Sequence, residues 1–429
     1  MNRKLPVNAP PEVKKNERSG WIKEIRKYQV ITPLYGGGEE TQKADTVTIV
    51  RATEVRGQLR FWWRATRGGE FNGDLAKMKE REDEIWGSSA EDNKPGPSGV
   101  SVRIVQCTKG NLKKEQKRGD KVLHISHPSA DWSYVAFPLR ESKGSVLEGV
   151  VFDLEIKYPD QFIHEIEAAL WAWENFGGIG ARTRRGFGAL LCTNSPLATM
   201  ENVEKNIQEG IEKHVSSGVF PAGVPHLSRT KNYRIIPKNN ATSAWEFLFK
   251  KLKDFRQHRQ PGKNNKPGRS PWPEPDSIRL ILNSNGRFSY GVHKPAHLVL
   301  RKFPRAKFGL PINFEFPQKD DHDPKKTLLQ GRSLSNNKYI DRLASPLIIR
   351  PITCKDGALG LAVILEWETV ESDERYTPPG GLFLTSQDYG IFQVSSDIDS
   401  SEANHIDPIQ NIKGKPQTDV LLAFLDFLK

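Results

Sequence analysis

The sequence predicts an α+β protein of two similar halves. Segments with strand and helix periodicity follow one another as strand, helix, strands, helix; the second half loosely repeats that content; and 429 residues suffice for two domains. The net charge of +12 and a pI near 9.4 point to a polyanionic partner, without separating RNA from a membrane surface. No run of eighteen apolar residues occurs and the first residues lack the apolar centre of a signal peptide, so the expected location is cytoplasmic. Cys107, Cys192 and Cys354 are odd in number and far apart, which argues against a disulfide framework or zinc cluster and for small buried residues.

Residues 1–20, rich in Pro and Lys, read as a flexible arm, and order is expected from Trp21. Residues 24–32 (EIRKYQVIT) alternate apolar and polar side chains and predict a strand. A short helix is expected over 74–86, and strands over 100–107, 121–126, 132–139 and 150–158. Residues 161–176 (QFIHEIEAALWAWENF) have the apolar spacing of an amphipathic helix, followed by a strand at 187–192. The first module is therefore bounded at 21–198. A polar helix over 200–216 bridges to a second module, 199–429. There the periodicity predicts strands at 233–237, 277–282, 298–300 and 359–367, helices at 243–257 and 419–428, and a mobile loop at 257–276.

The stretch TEVRGQLRFWWRATR (residues 53–67) organises the chain. At about 100° per residue, Arg56, Arg60, Arg64 and Arg67 fall within an arc of roughly 80°, beside an apolar arc holding Val55, Leu59, Trp62 and Trp63. Thr53 is the expected N-cap. Adjacent in sequence, the two tryptophans cannot point the same way: Trp62 is expected in the core and Trp63 towards a ligand-facing edge. Gly57, costly in a helix interior by about 1 kcal/mol, suggests close approach of something large. A solvated cationic face is the ordinary alternative; four arginines balanced only by Glu54 favour phosphate, which matches the guanidinium fork.

Two glycine-rich stretches accompany this helix. Gly36 and Gly37 lie in TPLYGGG, where backbone can approach an anion. GGIGARTRRGFG (residues 177–188) follows a helix and precedes a strand, so it is neither a dinucleotide fingerprint nor a P-loop. It places Gly178 and Gly180 among Arg182, Arg184 and Arg185, a combination suited to a nucleic-acid backbone; the structural alternative is a helix C-cap with incidental arginines.

These motifs, with KFGLP (307–311) and RLASP (342–346), resemble the RAMP superfamily of CRISPR-associated proteins, and within it a subunit of the type III-B Cmr effector complex. The resemblance implies two ferredoxin-like βαββαβ modules and a non-catalytic subunit at the 3′ region of guide RNA, capping the backbone of the complex. It implies as partners guide RNA, target RNA and neighbouring Cmr RAMP subunits. Cofactors and metals are not implied. RNA contact is carried onto Arg56, Arg60 and Arg64 and onto Arg182, Arg184 and Arg185; Lys307 and Arg342 match with less functional meaning. The competing reading is a metal-independent endoribonuclease, which needs a base and an acid near a 2′-hydroxyl. His124 and His127 are the best pair, with Tyr28 or Lys27 as helpers, yet three apart at a strand end they face opposite ways. His293 and His297 lack a helix to align them, and Asp320, Asp321 and Asp323 read as a solvated charge run. An adaptor without RNA contact leaves the arginine-glycine pairing unexplained.

Overall fold

Alternating apolar residues make two long strands, residues 21–30 and 151–159, and their pairing frames the first half. The computed structural model describes residues 20–36, 43–88, 96–257, 268–286, 294–316, 323–334, 336–367, 376–410 and 417–429, with residues 259, 262, 289 and 291. Strand β1 (Trp21–Val30) is followed by helices α1 (Ala52–Arg67) and α2 (Leu75–Trp86), strands β2 (Ser101–Thr108) and β3 (Val151–Pro159), helix α3 (Ile163–Phe176) and strand β4 (Leu190–Cys192). β1 runs antiparallel to β3 from Trp21 opposite Pro159 to Gln29 opposite Val151. β2 and β4 complete an antiparallel sheet in the order β2–β3–β1–β4. Tyr28, Phe152, Leu154, Ile156 and Tyr158 are buried beneath α1 and α3, which pack on each other with Trp62 and Phe176 ring centroids 6.1 Å apart.

Helix α4 (Met200–His214) lies against both α3 and the second sheet. The second half continues with β5 (Tyr233–Lys238), α5 (Ala241–Gln257), α6 (Glu274–Ser284), β6 (Ile312–Phe314), β7 (Thr327–Gly331), β8 (Leu347–Cys354), β9 (Gly357–Ile364), β10 (Leu382–Ser386), β11 (Gly390–Val394) and α7 (Val420–Phe427). β5, β9 and β8 form one antiparallel sheet in that order, crossed by α5. Strands β6–β7–β10–β11 form another. The path strand, helix, strand, strand thus recurs, but among the described residues this sheet stops at three strands. One apolar core joins the halves: Ile348, Leu359, Leu361, Val363 and Leu365 cluster with Trp62 and Leu170.

Three segments differ from the sequence-based expectation. Residues 132–139 form two short helices, Ser133–Ala136 and Leu139–Ser142, instead of a strand. Residues 277–282 belong to α6, because a short apolar run fits a buried helix as well as a strand and Pro275 at its first turn starts one. No strand forms at 298–300. Part of the expected mobile loop is packed: Trp272 is 1% exposed and donates its indole N–H to the Phe255 carbonyl at 2.9 Å. Residues 274–276 of that stretch already belong to α6, and 258, 260, 261 and 263–267 lie outside the described residues, as do residues 1–19 of the N-terminal arm. Cys354 is buried as expected, but Cys107 is exposed. No helix among the described residues is long and apolar enough to cross a membrane.

Candidate nucleic-acid interface

Helix α1 starts two residues earlier than expected, with Arg51 at the N-cap and Thr53 inside the first turn. Glu54 near its start and Arg64 and Arg67 near its end suit the helix dipole. Both tryptophans are buried, Trp62 at 2% and Trp63 at 0% exposure, so Trp63 is not at an edge. It packs on Phe71, where the turn after α1 folds back. Nothing lies within 4 Å of a Cβ built at Gly57, so no neighbour explains that glycine.

The helix arginines are engaged. Glu82 of α2, with its side chain 3% exposed, accepts from Arg60 Nε and Arg64 at 2.7 Å each. Arg56 reaches the Val100 carbonyl at 3.4 Å, and Arg67 pairs with Glu70 and reaches the His214 carbonyl. Glu54, Phe61 and Trp62, on another side of α1, meet the glycine loop instead: Glu54 accepts from the Gly180 amide at 2.5 Å, and the Arg184 guanidinium lies 5.5 Å from the Phe61 ring centre. The structure therefore joins helix and loop, but not through the helix arginines.

In the loop the glycines serve packing. Gly180 has φ +82°, and a Cβ there would lie 2.7 Å from the Tyr35 carbonyl oxygen; one at Gly178 would lie 2.7 Å from that of Gly188. The amides of Ile179, Ala181, Arg185, Gly186 and Gly188 are all satisfied within the protein. An open row of amides is thus not what this loop presents. Gly36, at φ +69°, is buried, and Gly37 lies outside the described residues.

The loop arginines do converge on a large cleft of about 990 Å³. The GGIGARTRRGFG loop, the C-terminal end of α5, and the KFGLP and RLASP motifs form its walls. Arg140, Arg182, Arg184, Arg185, Lys253, Arg256 and Arg342 line it, with Asp341 as the acidic residue. Arg184 donates to the Ser345 carbonyl, and Arg185 to the carbonyls of Leu347 at 3.2 Å and Phe308 at 3.3 Å. Burial, and next to it the Arg342 charge, pushes the Arg184 pKa down to about 10. Burial likewise holds Arg182 and Arg185 below their ordinary values. These guanidiniums remain charged at working pH, so the shift measures a desolvation cost that an incoming anion would offset. Arg182 Nε and Arg256 Nε are buried without a hydrogen-bond partner. Flat surfaces accompany the charge: Arg182 lies over Phe137, which is 55% exposed, and Arg256 over Phe308.

Lys253, Arg256 and Arg140 carry no signal as site residues in the sequence, because basic residues spaced along a helix form no motif. Lys307 is buried and paired with Asp397 at 2.5 Å, a structural role. The histidines of the nuclease reading are occupied by backbone and hydroxyl partners: His124 by Ser126 and the Gly144 carbonyl, His127 by the Ser129 amide, His297 by the carbonyls of Val299 and Pro271. None of the three lines the cleft. Tyr28 is fully buried on Glu174. Asp323 pairs with Arg279, while His293, Asp320 and Asp321 lie outside the described residues. No metal-binding cluster occurs among the described residues.

Residues 27–191 match the model of the RAMP superfamily. The Cmr subunit Cmr1-2 of the CRISPR system of Pyrococcus furiosus is 27% identical over 176 residues, which are 38% of this chain and 90% of that protein. Cmr subunit Cmr1-1 of the same organism is 26% identical over 159 residues, 36% of this chain and 44% of that protein, so the match spans less than half of that relative. Among solved structures, apo Cmr1 from Pyrococcus furiosus aligns with TM-score 0.44 and 16% identity over 90% of this chain and 96% of that one. A chain of a type III-B Cmr-beta complex bound to cognate target RNA aligns with TM-score 0.48 and 11% identity, covering 95% and 100%.

Proposed function

We propose, from a chain that resembles the Cmr1 members of the RAMP superfamily, that it is a non-catalytic RNA-binding subunit of a type III-B Cmr effector complex. Guide RNA near its 3′ region, with target RNA alongside it, and neighbouring Cmr subunits are its partners, and it caps the backbone of the assembly. The observation that carries this reading is the cleft, where three motifs distant in sequence meet and seven cationic side chains face one carboxylate. Arg182, Arg184, Arg256, Arg342 and Lys253 neutralise phosphates of a single strand. Arg185 holds the loop in place, and the α1 arginines add to the field around the strand. Phe137 supplies a stacking surface.

Two modules, residues 21–198 and 199–429, support the cleft. The first is ferredoxin-like, since its strand–helix–strand–strand–helix–strand path closes in the order β2–β3–β1–β4; the second is a variant of it.

The test is a filter-binding titration of the full chain with single-stranded RNA at several salt concentrations. Log affinity is expected to fall linearly with log salt, by about 0.7 per phosphate neutralised. Arg182→Ala is expected to weaken binding for all sequences alike and to lower that slope. An affinity indifferent to salt would exclude the reading, and RNA shortened during incubation would favour the nuclease alternative.

A further inference from the structure

Beside the cleft lies a smaller cavity of about 200 Å³, and Thr183 and Arg184 line both. Gln58, Phe61 and Trp62 of α1 form one wall, and Gly177, at the end of α3, forms another. Trp62 is 2% exposed, yet its indole N–H has no acceptor. Trp63 and Trp86 also have unpartnered indole nitrogens, but they line neither cavity. The buried Trp62 nitrogen lies against the Gly177 backbone, which also lines this cavity: a Cβ there would stand 2.5 Å from Nε1. A buried donor without an acceptor costs free energy, and one bordering a cavity can recover it from a ligand.

The groups around this space have a common chemistry. Phe61 offers a ring with the Arg184 guanidinium 5.5 Å from its centre. Gln58 supplies both a donor and an acceptor, Thr183 a hydroxyl, and Trp62 a donor. No carboxylate lines the space. The volume is below the roughly 300–1,000 Å³ of pockets for drug-sized ligands and suits one planar ring system. Single-stranded RNA is read in this way, by splaying out a base, stacking it on an aromatic ring or a guanidinium plane and bonding its edge.

We propose that this cavity receives one unstacked nucleobase of the strand whose phosphates lie in the cleft, with Arg184 spanning the two. The proposal rests on the RNA-binding reading above and adds a base-contacting subsite to it. It makes the chain sensitive to the presence of a base at one enclosed position, in addition to the charge and the open Phe137 surface of the cleft.

The test compares, on the full chain, an oligoadenylate of about ten nucleotides with an abasic oligomer of the same length and phosphate count. Gln58→Ala and Phe61→Leu are then measured in the same way; Gln58 is part-exposed, so its truncation leaves the core intact. Stacking on an aromatic side chain contributes about 1–3 kcal/mol per base. The base-over-abasic affinity ratio is therefore expected to fall by about 5- to 150-fold in Phe61→Leu. It should fall less in Gln58→Ala, and the salt slope should not change in either. An unchanged ratio in both variants, with salt-dependent binding intact, overturns the subsite and leaves the RNA-binding reading standing. Absence of salt-dependent binding in the unaltered chain overturns both.

Discussion

Glu82 governs what the helix arginines can do. Its carboxylate is almost wholly buried and accepts from Arg60 and Arg64, both about a third exposed. Glu82→Ala removes the acceptor Arg60 and Arg64 share and leaves Arg60 only Asp83 at 3.9 Å, so stability should fall by about 1–3 kcal/mol in denaturant titrations. RNA affinity should stay near that of the unaltered chain, because the cleft arginines are elsewhere. His214 gives a second expectation. It is buried and stacked on Trp171, with ring centroids 5.1 Å apart, and burial, with Lys213 beside it, pushes its pKa down from 6.5 to about 4. Between those values the unfolded chain binds a proton that the folded chain does not, so stability is full above pH 6.5 and is lost as pH falls towards 4. The slope is at most about 1.4 kcal/mol per pH unit. His214→Phe should flatten that part of a thermal-midpoint profile; an unchanged profile would show that His214 does not carry it.

At the scale of the element, the glycine loop is a packed joint. A Cβ at Gly188 would fall 1.8 Å from the Ile179 carbonyl oxygen, at φ +63°. Gly188→Ala is therefore expected to destabilise the fold by more than the roughly 1 kcal/mol of a simple αL penalty. Gly57→Ala, with open space around it, should instead gain about 1 kcal/mol of helix stability. If Gly57→Ala also weakens RNA binding, then α1 touches the strand directly. Helix α1 itself is held by its tryptophans: truncating Trp63, fully buried against Phe71, should cost about 3–5 kcal/mol, measured by chemical denaturation.

Across the whole molecule, one buried side chain of the second half reaches into the first, beside the shared core and the Arg184 and Arg185 contacts. Arg350, 1% exposed in β8, donates to the carbonyls of Gly177 and Leu190, both at 2.8 Å, and so satisfies the end of α3 and the start of β4 from the other half of the chain. Burial depresses its pKa to about 9. Arg350→Met removes both bonds and strands two buried carbonyls, each costing about 1–3 kcal/mol. Calorimetry of the unaltered chain should give one cooperative transition, since one core runs through both halves. Arg350→Met should lower the midpoint and broaden or split that transition.

Periodicity alone determined the long elements: β1, β3, α1, α3 and α5 fall where alternation or 3.6-residue spacing puts them, because each buries one face over many residues. It also singled out Arg182 and Arg184, since arginines set among glycines are dense enough to stand out. Short apolar runs were ambiguous; residues 277–282 became helix because their neighbours and Pro275 decided it. Only the tertiary structure decided which cations are free. Arg60 and Arg64 belong to the regular arginine pattern of α1, and a glutamate eighteen and twenty-two positions away takes them up. Arg350, unremarked within an apolar run, became a link between the two halves of the chain. Lys253 and Arg256 entered the cleft only because α5 ends beside the loop. The reason is physical: a side chain's periodicity is local and visible in sequence, whereas its counter-charge, its burial and the cavity it faces are set by residues brought near by folding.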